Sequence, residues 1–428
     1  MAHSVATTRR RAKGIQRIDL AYAQLASSEI ARDINRDVVL EIIRTKQPVS
    51  RADLSRISGL QPSTVSSIAE QLIEEQWITE GVVAPRPRGR RPTMLSINAN
   101  MVIIVADVRP TQSIVAVVDL NGRFLTRETG PLLKDPARGV DKIVAAMQRM
   151  IAEYPDRSFE GIGLSLPGRV DPDSQHLILA PNLVWKDFDI KRAIEAKIPL
   201  QVEMDNAANA CLLSELWFGN MDGVRDAVLV TITEGVGTAI LVNGQLVTGK
   251  NGLAGEFGHM SIDRDGPLCG CGRKGCWETF ASSRAAIGYY CEGKPKAERP
   301  DIMELLNLAE DGDASAIQAL NRQAMFLAQG LLIIISALAP EVIHLNGGLT
   351  SLWYLFGPII AAELESSILA GTPPRLAVTG DVELARLRGA AALVLQRHSG
   401  SGRAVRSGVA KNSAVSCTAD RVRAETQA

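Results

Sequence analysis

The sequence predicts an α/β protein that carries a small helix-turn-helix unit at its N-terminal end, and three observations point there. From Met101 onward, β-type apolar runs alternate with helical stretches. Before that point, two short helical patterns flank a Gly-Leu corner and lead into an arginine-rich loop between strand signals. The charge also changes sign along the chain. Residues 1–98 hold 15 Lys/Arg and 10 Asp/Glu, net +5; residues 399–428 hold 5 and 2, net +3; residues 99–398 hold 27 and 35, net −8. The formal net charge of zero is thus a basic front and tail set against an acidic middle, the asymmetry of a nucleic-acid-binding module joined to something else.

With 428 residues, 46% of them hydrophobic, the chain has enough material for two to four domains at about 100–200 residues each. Disorder throughout, a collagen repeat and a disulfide-stapled miniprotein are excluded. The longest apolar run, Gly330–Ala339, falls short of the ~20 residues that span a bilayer, and no signal-peptide pattern opens the sequence, so a cytoplasmic protein is expected.

Residues 1–29 are rich in Thr, Arg and Ala and are expected to be a flexible basic arm. In the segment Val38–Ile43 the apolar residues fall on one helical face. Ser50 is placed to cap a helix over Arg51–Ser58, with Leu54 and Ile57 buried, and Gly59 ends it because only glycine takes the left-handed turn without steric cost. Leu60 fills the corner and Pro62 fits a first helical turn. The next helix, from Pro62 to about Glu75, turns Val65, Ile68, Leu72 and Ile73 inward. Gln61, Ser63, Thr64, Ser66 and Ser67 are left on its leading end, where short hydrogen-bonding side chains can read base edges in a major groove. Two strand signals then flank a loop with Arg86, Arg88, Arg90 and Arg91, a wing able to touch phosphates or enter a minor groove. The expectation is a winged helix-turn-helix over residues 30–98, binding double-stranded DNA, in a chain that pairs with itself because such units usually meet half-sites in twos.

The next segment, 99–398, opens with strands Val102–Asp107 and Ser113–Asp119, read as a hairpin closed by Asn121-Gly122. A helix around Val140–Glu153, a buried strand Gly161–Ser165, a helix from Ala207 to Trp217 and a strand Ala227–Thr233 follow. Cys211, Cys291, Trp185 and Trp217 are expected in the core. Residues 399–428, with few large apolar side chains, are expected to be disordered.

Three of the six cysteines, Cys269, Cys271 and Cys276, crowd into eight residues, and His259 precedes them. Three thiolates and one imidazole make a full tetrahedral set for Zn²⁺, with no position left open, so a structural ion is expected rather than a Lewis-acid catalyst. Gly270, Gly272 and Gly275 are read as letting the backbone turn tightly around it.

Several of these segments resemble one family. Gly163-Leu-Ser-Leu-Pro-Gly-Arg-Val170, Ala180-Pro-Asn-Leu183, Gly255-Glu-Phe-Gly-His259 and Cys269-Gly-Cys-Gly-Arg-Lys-Gly-Cys-Trp-Glu278 look like the ROK family of bacterial sugar kinases and transcriptional repressors. The resemblance implies a two-lobed actin/hexokinase-like body with sugar between the lobes, and, in the repressor branch, an N-terminal winged helix. It carries sugar contacts over to Gly168, Arg169, Asn182, Asn206, Glu256, His259 and Glu278, with His259 serving both zinc and sugar. Carboxylates, amides and an imidazole suit a ring of hydroxyls.

The kinase parts of the pattern are altered. The family's first phosphate loop, Asp-Gly-Gly-Thr, is matched by Asp107-Val-Arg-Pro-Thr111, where both glycines are gone and Pro110 removes a donor. The second, Gly-Thr-Gly, is matched by Glu234-Gly-Val-Gly237. The family's Glu-Asn-Asp-Ala-Asn is matched by Asp205–Asn209, which puts Ala207 at the base position; a shifted register would put Asp205 there instead. The expectation is a DNA-binding transcriptional regulator, most simply a repressor, whose body senses a sugar or sugar derivative without phosphorylating it. The alternatives are an ATP-dependent sugar kinase with a DNA-binding extension, or a constitutive DNA-binding scaffold with a vestigial cleft. In some repressors of the family a protein partner takes the effector's place.

Overall fold

A computed structural model describes residues 28–83, 92–180, 183, 185, 188–219, 221, 223–293, 299–367 and 371–397. The expected basic arm (apart from its last two residues), the expected disordered tail, Asn182 and the wing arginines Arg86, Arg88, Arg90 and Arg91 lie outside those residues.

The described chain begins with α1 (Ser28–Lys46), β1 (Val49–Ser50), α2 (Arg51–Ser58), α3 (Pro62–Glu74), β2 (Ile78–Val83) and β3 (Thr93–Ile97), the strands forming an antiparallel sheet in the order β1-β3-β2. Ser50 caps α2 by accepting the Asp53 N–H at 3.2 Å, and Gly59 ends it at φ 74°, in the left-handed region that favours glycine. Leu54, Val65, Ile68 and Leu72 are buried as expected, against Val39 and Ile43 of α1. Ile57 is not: it is 46% exposed, because α2 turns one narrow face inward and position i+3 lies about 60° round from Leu54. Val38 is likewise 40% exposed while its neighbour Val39 is buried.

Two larger sheets follow. β4 (Met101–Val108), β5 (Gln112–Asp119), β6 (Phe124–Pro131), α4 (Pro136–Glu153), β7 (Ser158–Leu166), the hairpin of β8 (Arg169–Val170) and β9 (Leu177–Leu179), α5 (Ile190–Glu195) and β10 (Val202–Asn206) give a sheet ordered β10-β7-β4-β5-β6. Every residue of β4 is buried, as its unbroken apolar run requires of a central strand. α6 (Ala207–Phe218) leads to β11 (Ala227–Ile232), β12 (Val236–Val242), β13 (Gln245–Leu246), α7 (Glu278–Ala281), α8 (Ser283–Tyr290), α9 (Ile302–Glu310), α10 (Ala314–Leu338), β14 (Val342–Gly347), α11 (Trp353–Ser367), β15 (Arg375–Val378) and α12 (Val382–Gln396). The second sheet runs β13-β12-β11-β14-β15.

Counted in chain order within each sheet, both read 3-2-1-4-5, with the 1-2 and 2-3 pairs antiparallel and the 1-4 and 4-5 pairs parallel. One folding unit is therefore used twice. The turn assignment needs correction: Asn121-Gly122 joins β5 to β6, whereas β4 turns into β5 at Arg109-Pro110-Thr111. β6 escapes the sequence reading because it is a polar, half-exposed edge strand. Cys211 and Trp185 are core residues, but Cys291 and Trp217 are only half-buried.

The apolar run Gly330–Ala339 is the end of α10, which is long and apolar enough to cross a membrane by length and composition. Half of its apolar window is buried inside the protein, where it forms the core beneath the second sheet with Leu320, Leu327, Leu331 and Ile334. Its buried amide Gln323 donates to the Ala281 carbonyl at 2.9 Å, while its Oε1 is buried with no partner among the described residues.

Candidate functional site

A cleft of about 330 Å³ is lined by the ends of both sheets, and six of the seven candidate sugar contacts line it: Gly168, Arg169, Asn206, Glu256, His259 and Glu278. Each is placed by local structure. Gly168 has φ +102°, and a Cβ there would meet the Leu179 carbonyl at 2.2 Å, so only glycine lets the β8–β9 hairpin fold back and deliver Arg169. Asn206 caps α6 by accepting the Asn209 N–H at 2.8 Å. A 3-10 turn over Glu256–His259 puts Glu256 Oε2 3.8 Å from His259 Nε2. Glu278 opens α7 and is held from below, because the Trp277 indole donates to the Phe326 carbonyl at 2.8 Å and packs on Gly330. Gly235 leaves room for Glu278, whose Oε2 would lie 2.6 Å from a Cβ at that position.

Burial leaves its mark on two of these groups. The Arg169 Nε–H is buried with no acceptor among the described residues. Burial raises the Glu256 carboxyl above its ordinary range, against the pull of His259 and Arg169. Both residues line the cleft.

Beside them, His259, Cys269, Cys271 and Cys276 offer ligand atoms that all lie within 4.8 Å of one another. Cys269 Sγ is 3.5 Å from His259 Nδ1, and Cys271 Sγ is 3.6 Å from Cys276 Sγ. Those separations match the edges of a tetrahedron built with bonds of about 2.0–2.3 Å, so the donor set fits a single tetrahedral cation. Nδ1 of His259 faces the thiols while Nε2 faces Glu256, so one ring can serve both sites. Gly275 is required here, since a Cβ would meet the Asp263 carbonyl at 1.4 Å; Gly270 meets nothing and its freedom is not needed, contrary to expectation.

Beyond the far end of the cleft lies a charged network in which Asp107 and Arg109 belong to the altered phosphate-loop segment, whereas Arg127, Glu383 and Arg386 are marked by no motif. Asp107 is wholly buried at the end of β4; the Arg109 Nε–H donates to its Oδ2 at 2.7 Å, and Arg386 of α12 lies 3.9 Å away. Arg109 reaches Glu383 at 3.5 Å, and Glu383 reaches Arg127 at 3.4 Å. Burial works against the Arg386 charge, yet the Asp107 carboxylate nearby holds its pKa above the ordinary value. Arg386 and Pro110 line the cleft, as do Glu234, whose carbonyl accepts from Arg284, and Ala207. Nothing in the local sequence marks Arg386, because its partner lies 279 positions earlier in the chain. Asp205 is not among the lining residues; its carboxylate accepts from the Asn206 N–H at 2.6 Å and the Asn209 amide at 3.0 Å.

Of the candidate DNA contacts, Gln61, Ser63 and Ser67 are exposed and Thr64 and Ser66 half-buried, all at the leading end of α3. A second groove of about 500 Å³ lies along α11, lined by Trp353, Tyr354 and Pro373, with Glu365 its one ionisable wall residue apart from the tyrosine. The candidate functional site is the smaller cleft, where ionisable groups and metal-type ligands converge.

Comparison with known proteins gives concordant findings. Residues 105–397 match the ROK family. The chain is 31% identical over 329 residues to the xylose repressor of Bacillus subtilis (strain 168), covering 76% of this chain and 85% of that protein. It is 26% identical over 363 residues to the DNA-binding transcriptional dual regulator NagC of Escherichia coli (strain K12), covering 81% and 88%. Among solved structures, a ROK family transcriptional regulator homologous to the Escherichia coli MLC protein superposes with a TM-score of 0.74 at 25% identity, covering 87% of this chain and 98% of that one. A ROK family glucokinase from Streptomyces griseus, in complex with glucose and AMPPNP, gives a TM-score of 0.62 at 27% identity over 69% of this chain.

Proposed function

The chain belongs to the ROK family, and from that premise we propose that it is a sequence-specific DNA-binding repressor whose two-lobed body senses a sugar without phosphorylating it. The observation that carries this reading is the cleft itself: Arg169, Asn206, Glu256, His259 and Glu278 converge on one space, while at its other end Arg386 is ion-paired with Asp107, which Arg109 also holds. We assign residues 30–98 to a winged helix-turn-helix that meets DNA through Gln61, Ser63, Thr64, Ser66, Ser67 and the arginines of the wing, residues 99–398 to the sensing body, and residues 1–29 and 399–428 to a flexible arm and tail. The protein acts in the cytoplasm as a homo-oligomer.

In the body, the Glu256 and Glu278 carboxylates accept ligand hydroxyl protons, Arg169 and the His259 Nε2 edge orient the ring, and Asn206 adds a further contact. His259, Cys269, Cys271 and Cys276 would hold a structural Zn²⁺, which when bound supplies a fixed tetrahedral anchor for this loop. Metal and sugar then share one imidazole, so ordering one site orders the other. A ligand moves the DNA-binding equilibrium only by as much as it prefers one conformer, whether open or closed.

The absence of turnover is supported by three features. Arg109 and Arg386 already neutralise Asp107, Pro110 has no N–H to offer a phosphate, and Ala207 carries no carboxylate. A kinase would need Asp205 as base, but that group is engaged by Asn206 and Asn209. The reading is tested by a thermal-shift screen of monosaccharides and their amino and phosphorylated forms, followed by DNA binding with each stabilising compound and by an ATP assay with the same set. A stabilising sugar that changes DNA affinity with no ATP turnover is expected. Turnover at ordinary kinase rates would overturn the sensor reading, and the lack of any stabilising sugar would leave the scaffold alternative standing.

A further inference from the structure

The cleft and the N-terminal unit are joined by one pair of helices. α6 begins at the cleft, with Ala207 and Ala208 in its lining, and its 12 residues run about 18 Å to Trp217 and Phe218. There the Arg44 guanidinium, at the end of α1, donates to the Trp217 carbonyl and lies 5.9 Å from the Trp217 ring centroid. Three residues further on, Gln47 uses both ends of its amide: Nε2 donates to Asn121 Oδ1 at 2.7 Å, and Oε1 accepts the Ile97 N–H at 2.9 Å. Gln47 thus ties β3 to the β5–β6 turn.

α12 runs alongside. Arg386 lines the cleft, while Arg388, half a turn on, donates to the Gly122 carbonyl at 2.9 Å and lies over the Phe124 ring. Leu387, Ala390, Ala391 and Val394 share a buried cluster with Val39, Ile43 and Val65 of the N-terminal unit. The two helices are seated backbone on backbone, since a Cβ at Gly389 would fall 1.8 Å from the Ala210 carbonyl oxygen. Helices this close have no side-chain layer to repack and move together.

We propose that α6 and α12 form one lever that carries movement at the cleft to the N-terminal unit, with Arg44 and Gln47 as its joint. The inference rests on the sensing reading for its purpose, but its mechanics can be tested apart from it. The lever needs no change inside the DNA-reading helix: a shift of the α6 end displaces α1 through the Trp217 carbonyl, and the hydrophobic cluster beneath α1 follows.

The first arm of the experiment uses no ligand. Ala207→Phe fills the cleft at the first turn of α6, and hydrogen exchange is followed at the α1 amides of residues 40–46 in the full-length protein. Exchange there is expected to change by roughly threefold or more, and the change is expected to vanish when Arg44→Ala and Gln47→Ala are added. Unaltered exchange in a folded Ala207→Phe protein, judged by circular dichroism, would overturn the lever; so would a change that survives loss of the joint.

The second arm uses D-xylose and N-acetylglucosamine as probes and DNA from upstream of the protein's own coding sequence. The Arg44→Ala/Gln47→Ala variant is expected to keep its affinity for whichever probe binds and for DNA alone, while a sugar effect on DNA affinity of the order of tenfold drops below about twofold. An undiminished effect would refute the joint. Failure of both sugars to bind counts against the sensing reading and leaves the first arm to decide the lever.

Discussion

The charged groups lining the cleft near His259 and the charged network beyond its other end are partnered differently. Around the metal-type ligands, the Arg169 Nε–H has no protein acceptor among the described residues, and the Glu256 carboxyl, 3.8 Å from His259, is pushed up by burial. At the other end, Asp107, Arg109, Glu383 and Arg127 form a chain of ion pairs that also takes in Arg386, although Asp107 Oδ1 and Arg386 Nε are buried there without hydrogen-bond partners among the described residues. The repeated topology brings the tips of the two equivalent hairpins, around Pro110 and Glu234, to this one cleft. What differs is the density of ion pairing: the second set is tied together by four ion pairs and belongs to the scaffold, whereas in the first, among the described residues, Glu256 faces only the His259 imidazole within that reach. A charged cleft therefore has to be read group by group, by asking what each atom already holds.

The strongest way to break the comparison is at the metal. Cys276→Ser removes a buried ligand atom and leaves three donors. Zinc content per chain, by elemental analysis, is expected to fall from one toward zero, stability to drop on the order of 5 kcal/mol, and the sugar-induced thermal shift to disappear with it, because His259 loses its anchor. Retention of full zinc and an intact sugar response would show the two sites to be independent.

At the opposite end the expected loss is of stability alone. Asp107→Asn leaves Arg386 buried beside a neutral amide, and breaking such a pair costs about 3–5 kcal/mol. A chemical-denaturation midpoint would register it. Sugar affinity is expected to change by less than about threefold, since Asp107 touches the scaffold and not the ligand end. A large loss of sugar binding in a folded variant would mean that the ion-pair network is itself part of the ligand site.

Glu278→Gln tests the ligand end directly. Replacing one charged acceptor by an amide is expected to weaken sugar binding by about 1.5–3 kcal/mol, or roughly 10- to 100-fold, read by calorimetry, with DNA binding in the absence of sugar unchanged. Normal binding would remove Glu278 from the site and recast it as a support for Cys269, whose thiol donates to it at 2.8 Å.

What was legible in the sequence was what is local. The Ser50 cap, the Gly59 stop, the apolar β4 and the His259-to-Cys276 cluster all act within a few residues of where they are written, or announce themselves by residue types with little other use. The candidate sugar contacts rest on motif resemblance, and six of the seven line one cleft. Long-range pairings left no trace: Arg386 with Asp107, Arg44 with the Trp217 carbonyl, and Gln47 with Asn121 join residues that nothing in a sequence window connects. The edge strand β6 and the exposed face of Ile57 were missed for a related reason, since burial is decided by what packs against a segment and not by the segment.

The smallest expected effect concerns the group between the two ends. Burial pushes the Asp205 carboxyl up to about 6 from an ordinary 3.8, although the Asn206 N–H and the Asn209 amide favour its charged form. Between those two pH values the folded protein keeps a proton that the unfolded chain has lost, so this group makes stability fall as pH rises, by a total of about 1–3 kcal/mol once pH exceeds the folded value. Asp53 and Asp171, whose values are lowered, act with the opposite sign and at lower pH, so the contribution is isolated by difference. Urea midpoints of the wild type and Asp205→Asn are to be compared at pH 4 and pH 7. The asparagine cannot titrate, so the variant's stability relative to wild type is expected to rise by about 1–3 kcal/mol over that interval. A difference that stays flat would mean that Asp205 is solvated enough to ionise freely. It would then be open to the cleft after all, and the division between a ligand end and a closed end would have to be redrawn around it.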